Sequence, residues 1–242
     1  MKKNDIFENL ADDINNANFS EENKSRLLKN IRKLKSEKIN LLITGATGSG
    51  KSSTINALFD TEIAKVGVGV EPETMDISSF RLNDELRFWD TPGLGDSLEK
   101  DKLHSMKIID LLNKDYYTNN KQYGFIDVVL IVLEGGIRDM GTVYSLINQL
   151  VIPNFPKDRI IVAINQADMA MKGKYWDKLK NKPEKELINF LEDKAISIKK
   201  RVKEATNIDI IKPIYYSAEY GYNVDLLLEK IVDCLPNTKR NL

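Results

Sequence analysis

Gly45-Ala46-Thr47-Gly48-Ser49-Gly50-Lys51-Ser52 satisfies the pattern G-x-x-x-x-G-K-[ST] at every fixed position. The apolar, strand-like run Ile39–Thr44 leads into it and the helix-like run Ser53–Phe59 leads out. In that setting the glycines let the backbone curl, so that successive N–H groups point inward at a phosphate chain. The N–H groups of Thr47, Gly48, Ser49, Gly50, Lys51, Ser52 and Ser53 are the expected cradle, and the following helix adds the positive end of its dipole. Lys51 is expected to reach the β- and γ-phosphates and the Ser52 hydroxyl to hold Mg2+. A Gly-rich turn that binds nothing is the plain alternative. The loop by itself does not name the base, because ATPases, kinases and GTPases share it.

Outward from this stretch, short runs rich in Ile, Val and Leu recur at 39–44, 126–133, 159–164 and 211–216, as buried strands do. Helical patterns fall at about 51–59, 100–114, 140–150, 184–204 and 224–234. Asp76–Leu82 and Leu86–Trp89 flank Asn83-Asp84-Glu85, which predicts a hairpin. The alternation predicts an α/β fold: a mainly parallel six-stranded sheet with one antiparallel strand and helices on both faces. Residues 4–37 read as two helices broken near Asn18-Phe19-Ser20, so the chain divides into an N-terminal helical extension, 1–37, and a nucleotide-binding domain, 38–242.

Composition narrows the classes. The 36 basic residues balance the 36 acidic ones, so bulk charge makes no case for nucleic acid or a membrane surface. The single cysteine, Cys234, excludes an intrachain disulfide framework and a cysteine metal cluster. The apolar run Val128–Leu133 is too short for a transmembrane segment, and the N-terminus lacks a signal-peptide core, so the expected location is cytoplasmic.

Three further motifs sit at predicted strand ends, where open α/β sheets bind ligands. Asp90-Thr91-Pro92-Gly93 places an acid where Mg2+ is held, directly or through water, and Gly93 lets a backbone N–H approach a γ-phosphate; a plain Pro-Gly turn is the alternative. Asn165-Gln166-Ala167-Asp168 offers a carboxylate, Asp168, that accepts two hydrogen bonds from guanine and none so arranged from adenine. Asn165 is expected to tie this loop back to the phosphate loop; a helix cap is the alternative. Ser217-Ala218-Glu219 supplies small residues that let a backbone N–H approach the guanine O6. Between the first two motifs, Thr74 lies in the Gly-rich stretch 66–76 and is the candidate to close on Mg2+, unless it simply starts a strand. The bound partners expected are therefore GTP or GDP with Mg2+.

Together these residues resemble the TrmE–Era–EngA class of P-loop GTPases over roughly residues 38–236, with Gly45–Ser52, Thr74, Asp90–Gly93, Asn165–Asp168 and Ser217–Ala218 as its five motifs in order. Within that class Gly45–Phe59 and Asn165–Asp168 are most similar to Era-like bacterial GTPases of the YfjP/YeeP type, and Gly48–Ser53 also resembles immunity-related GTPases. The resemblance implies a Ras-like P-loop NTPase fold and Mg-dependent hydrolysis of GTP to GDP and phosphate. Lys51, Thr74 and Gly93 would serve the reaction, and Ser52, Thr74 and Asp90 the metal. It also implies nucleotide-switched binding of a partner: a homodimer through the G domain or the N-terminal helices, or a ribosome or RNA by family analogy.

The chain departs from the class at four points. Leu94 stands where many GTPases carry the glutamine that orients the attacking water, which leaves a GTP-dependent assembling scaffold with negligible hydrolysis as the rival expectation. Gln166 replaces the usual lysine that packs over base and ribose. Gly48 stands where potassium-activated members carry asparagine, which speaks against a potassium requirement. Only a few residues follow the last predicted helix, so no RNA-binding C-terminal domain is expected.

Three other features have bland readings. His104, the one histidine, reads as a half-exposed helix residue rather than a catalytic one, and Arg138 reads as a surface partner of Asp139 rather than an arginine finger. The Lys-rich stretch Met171–Lys182 reads as a solvated loop with Tyr175 and Trp176 tucked against the domain, the alternative being an RNA or protein contact.

Overall fold

Six strands hydrogen-bond into one sheet in the computed structural model, which describes residues 39–59, 78–81, 86–91, 93–94, 98–118, 120–136, 146–151, 155–235, 239–240 and 242. The elements in chain order are β1 (Ile39–Gly45), α1 (Lys51–Phe59), β2 (Ser78–Arg81), β3 (Leu86–Asp90), α2 (Leu98–Asn113), β4 (Asp115–Thr118), β5 (Lys121–Gly124) and β6 (Val128–Glu134). They continue with β7 (Ile160–Asn165), a 3-10 segment (Ala167–Gly173), β8 (Trp176–Asp177), β9 (Lys182–Pro183), α3 (Lys185–Thr206), β10 (Ile214–Tyr215) and α4 (Val224–Cys234). The large sheet runs β10-β7-β6-β1-β3-β2. Every pairing in it is parallel except β2 with β3, so the expected sheet with one antiparallel strand is present.

Alternation along the strands builds two cores. Leu42, Val129, Ile131, Leu133, Val162 and Ile164 face one side and pack with Ile108 and Leu112 of α2 and Ala195, Ile198 and Val202 of α3. Leu41, Ile43, Val128, Leu130, Val132, Ile161 and Ala163 face the other and pack with Ile55 of α1 and Leu227 and Ile231 of α4. Both faces of β6 are therefore covered, which is why Val128–Leu133 is apolar at every position. The helix α3 buries Leu187, Leu191, Ala195, Ile198 and Val202, one stripe at helical spacing, and ends at Asn207 in the left-handed region (φ 56°).

Several expectations need correction. The last strand shrinks from 211–216 to Ile214–Tyr215, because Pro213 has no N–H to give the ladder. The described part of the helix expected over 140–150 is a π-helical turn, Leu146–Val151. Two small hairpins went unread: β4–β5, turning at Asn120 with φ 60°, and β8–β9. Residues 1–37, Thr74, Pro92, Arg138, Asp139 and the turn 83–85 lie outside the described residues. No described helix is long and apolar enough to cross a membrane.

Candidate functional site

The parallel strands β1, β3, β7 and β10 all point their carboxyl ends at one edge of the sheet, and that edge carries the first, third, fourth and fifth motifs. β1 hands the chain to the turn Ala46–Gly50, and α1 starts at Lys51. Lys51 is buried with its Nζ over the loop, donating to the carbonyls of Ala46 (3.1 Å) and Gly45 (3.3 Å). Thr47, Gly48, Ser52 and Ser53 are exposed, while Ser49 is buried with its Oγ unpartnered among the described residues.

Ser52 Oγ donates to Asp90 Oδ2 at 2.8 Å, joining the first helix turn to the end of β3. Asp90 Oδ1 is buried and has no hydrogen-bond partner among the described residues. Burial pushes the Asp90 carboxyl above the ordinary carboxylate range, against the Ser52 hydrogen bond, the Lys51 charge and the Thr91 backbone. A buried carboxylate oxygen left without a partner, beside a hydroxyl, is a donor set that suits a hard divalent cation. Ser52 and Asp90 could hold Mg2+ there.

Asn165 is the tie expected of it, and more. Its Nδ2 donates to Ser49 O (3.1 Å) and Gly50 O (3.4 Å), and its Oδ1 accepts from the Ala218 N–H (3.1 Å). One buried side chain thus joins the phosphate loop to the fifth motif. Gly50 makes the approach feasible: a Cβ there would stand 2.2 Å from Asn165 Nδ2. Gln166, with a left-handed backbone (φ 57°), donates its Nε2 to Gly48 O at 2.9 Å. That grip on the phosphate loop was not read from the sequence. Asp168 is 7% exposed, and its Oδ1 has no described partner.

The base-side loops have their own support. The Ala167 N–H donates to Tyr216 O, and the Ser217 N–H to Tyr222 O. The fully buried Tyr216 hydroxyl shares a 2.6 Å hydrogen bond with Thr54 of α1, and burial pushes this phenol far above its ordinary value. Trp176 is buried against Tyr220 and Tyr222, at ring separations of 5.4 and 5.6 Å, as the bland reading of its loop expected. Tyr175 beside it stays exposed.

The third motif lies on the phosphate loop. Leu94 donates its N–H to Gly45 O (3.3 Å) and accepts from the Thr47 N–H (2.8 Å). A Cβ on Gly93 would stand 2.5 Å from Thr47 Cα, so only glycine allows this contact. The Leu94 side chain is 5% exposed and sits in the core with Ile108. His104 is half-buried and bonds Gly93 O through Nδ1 at 2.9 Å. Its signal was legible: 104, 108, 111 and 112 form one helical stripe that carries the histidine inward.

Several known proteins are similar to this chain in sequence or fold. A dynamin-like protein 1 of Campylobacter jejuni is 32% identical over 122 residues, which is 45% of this chain and 16% of that protein. Septin-8 of Xenopus tropicalis is 31% identical over 84 residues, 32% of this chain and 19% of that protein. The chain thus spans under a fifth of the length of these relatives. Among solved structures, Toc33 from Arabidopsis thaliana in complex with Mg2+ and GMPPNP aligns with 93% of this chain and 96% of its own at a TM-score of 0.58 and 17% identity. LeoA, a bacterial dynamin GTPase from ETEC, aligns with 97% of this chain and 45% of its own at 0.54 and 13%. At such identities these two share the fold. Residues 40–166, just over half of the chain, match the family described as 50S ribosome-binding GTPase, and the chain belongs to that family.

Proposed function

We propose that this chain binds GTP with Mg2+ and hydrolyses it to GDP and phosphate, its nucleotide state setting which partner it takes. The observation that carries the reading is Asn165, whose single side chain holds the phosphate loop and the fifth motif in one constellation. The N–H groups of Thr47 through Ser53 would cradle the phosphates. Lys51 would release its loop carbonyls to the β- and γ-oxygens, and Gly93 would offer its N–H to the γ-phosphate. Ser52 and Asp90, with Thr74, would hold Mg2+, which when bound neutralises charge on the phosphates. Asp168 would accept from guanine, Gln166 would cover base and ribose while gripping Gly48, and Ser217 and Ala218 would frame the guanine O6. Water attacks the γ-phosphorus, the bond to the bridging oxygen breaks with its electron pair leaving on GDP, and the proton lost by the water goes to the released phosphate or to solvent.

Residues 38–242 would form the G domain, with 1–37 a helical extension available for dimerisation, in a cytoplasmic protein of the Era-like YfjP/YeeP type. The family's description names the 50S ribosome, which makes a ribosome or RNA a partner to test by analogy.

Leu94 supports a second reading, a GTP-dependent scaffold with negligible turnover. Its side chain is committed to the core and cannot orient water. Single-turnover hydrolysis at rising protein concentration separates the two: cleavage absent at every concentration leaves only the scaffold.

The first test is the melting temperature with Mg2+ plus GTP, GDP or ATP. A ligand at about 100 times its Kd adds about 2.7 kcal/mol, a shift of roughly 5–11 °C for a chain of this size. A rise with both guanine nucleotides and none with ATP is expected. A rise with ATP alone, or none at all, refutes the assignment.

A further inference from the structure

Resting on the GTPase reading above, we infer that His104 is a positioning residue for the γ-phosphate-facing glycine. The peptide linking Gly93 to Leu94 is held at both ends. Its carbonyl accepts from His104 Nδ1 at 2.9 Å, and its N–H donates to Gly45 O at 3.3 Å. A carbonyl oxygen only accepts, so the ring carries its proton on Nδ1 in this contact. Leu94 anchors the same peptide from below by burying its side chain in the core beside Ile108, one helical turn beyond His104. The consequence is local and directional. Gly93 is pressed against Thr47, and the orientation of the fixed peptide limits where the adjoining Gly93 N–H can point.

A side chain that positions only the third motif acts on what distinguishes GTP from GDP. On the GTPase reading, the phosphate loop, Lys51 and the base-side loops would contact both nucleotides, whereas Gly93 would meet only the γ-phosphate. His104 is therefore a determinant of triphosphate preference, working through a backbone carbonyl and touching no nucleotide.

Two substitutions separate the hydrogen bond from the ring. His104→Phe keeps the ring volume and removes the donor. His104→Asn loses the ring but carries an amide nitrogen, Nδ2, bonded to Cγ as Nδ1 is in the histidine. Affinities for GDP and for a non-hydrolysable GTP analogue, both with Mg2+, are measured by titration calorimetry, with melting temperature alongside. In His104→Phe the GTP-analogue affinity falls about three- to tenfold, the effect of one net hydrogen bond, while GDP affinity stays within about twofold. His104→Asn restores the ratio. Equal loss of both nucleotides, an unchanged ratio in His104→Phe, or a ratio in His104→Asn as low as in His104→Phe overturns the inference and leaves the GTPase reading standing. If His104→Phe does not fold, His104→Leu, which also lacks the donor, takes its place: a lowered GTP-analogue-to-GDP ratio that His104→Asn restores supports the donor role, and an unchanged ratio overturns it. Wild-type protein that binds neither nucleotide overturns the GTPase reading and this inference together.

Discussion

Removing the Asn165 side chain should loosen the site and the fold at once, by an amount the hydrogen bonds allow to be worked out. Asn165→Ala deletes two donations and one acceptance from a residue only 1% exposed. Gly50 O loses little, because it keeps the Thr54 N–H (2.8 Å) and the Thr54 Oγ1 (2.7 Å). Ser49 O and the Ala218 N–H lose this partner, and a buried group stripped of a partner costs about 1–3 kcal/mol. Ala218 is only half-buried, so water recovers part of its share. The expected loss is about 2–4 kcal/mol, or about 4–16 °C in Tm. Urea unfolding measures the first and a thermal scan the second. Nucleotide affinity should fall with it, since two loops lose their common register. A variant that unfolds within about 0.5 kcal/mol of wild type would refute the assignment of Asn165 as the tie between the loops.

Two further outcomes are expected. Asp168→Asn trades an acceptor for a donor where guanine presents donors, so GTP affinity should drop about a hundredfold or more with ATP unaffected in a competition assay; unchanged GTP affinity would contradict the base-reading role. Lys239→Met strips Asp127 of its 2.7 Å ion pair, in which both side chains are buried, and should destabilise by about 3–5 kcal/mol. Adding Asp127→Asn should recover part of that loss in a double-mutant cycle. Burial already holds Asp127 above the ordinary carboxylate range against the Lys239 charge. The deficit of Lys239→Met should therefore shrink as pH falls and the acid protonates, and grow as pH rises through its folded value, a trend that urea unfolding across the acid range will test.

The features legible in the sequence are those whose cause is local. Gly45–Ser52 announces its turn because glycine spacing and backbone reach decide it within eight residues. Strands buried on both faces announce themselves through unbroken apolar runs, and the same logic overreached at 211–216, where one proline outweighed the pattern. The hairpin β4–β5 hid because its tyrosines stack on each other at 5.9 Å instead of alternating into a core. What stayed illegible depends on where distant chain segments meet. Lys239 and Arg240 are residue types that usually stay in solvent, yet both are buried: Lys239 on Asp127, and Arg240 donating to Leu112 O at 2.6 Å and stacking on Phe155. Gln166 read as a missing lysine, and only the left-handed turn at that residue swings its amide onto Gly48. His104 sits between these cases. The sequence read it as half-exposed, although its spacing with Ile108, Leu111 and Leu112 puts it on one stripe with buried residues; its partner, Gly93 O, lies next to Leu94, which is buried in the core. A substitution that looks like lost chemistry at 94 therefore also fixes the backbone on which the third motif depends. Restoring glutamine there would withdraw an apolar anchor from the peptide that His104 holds.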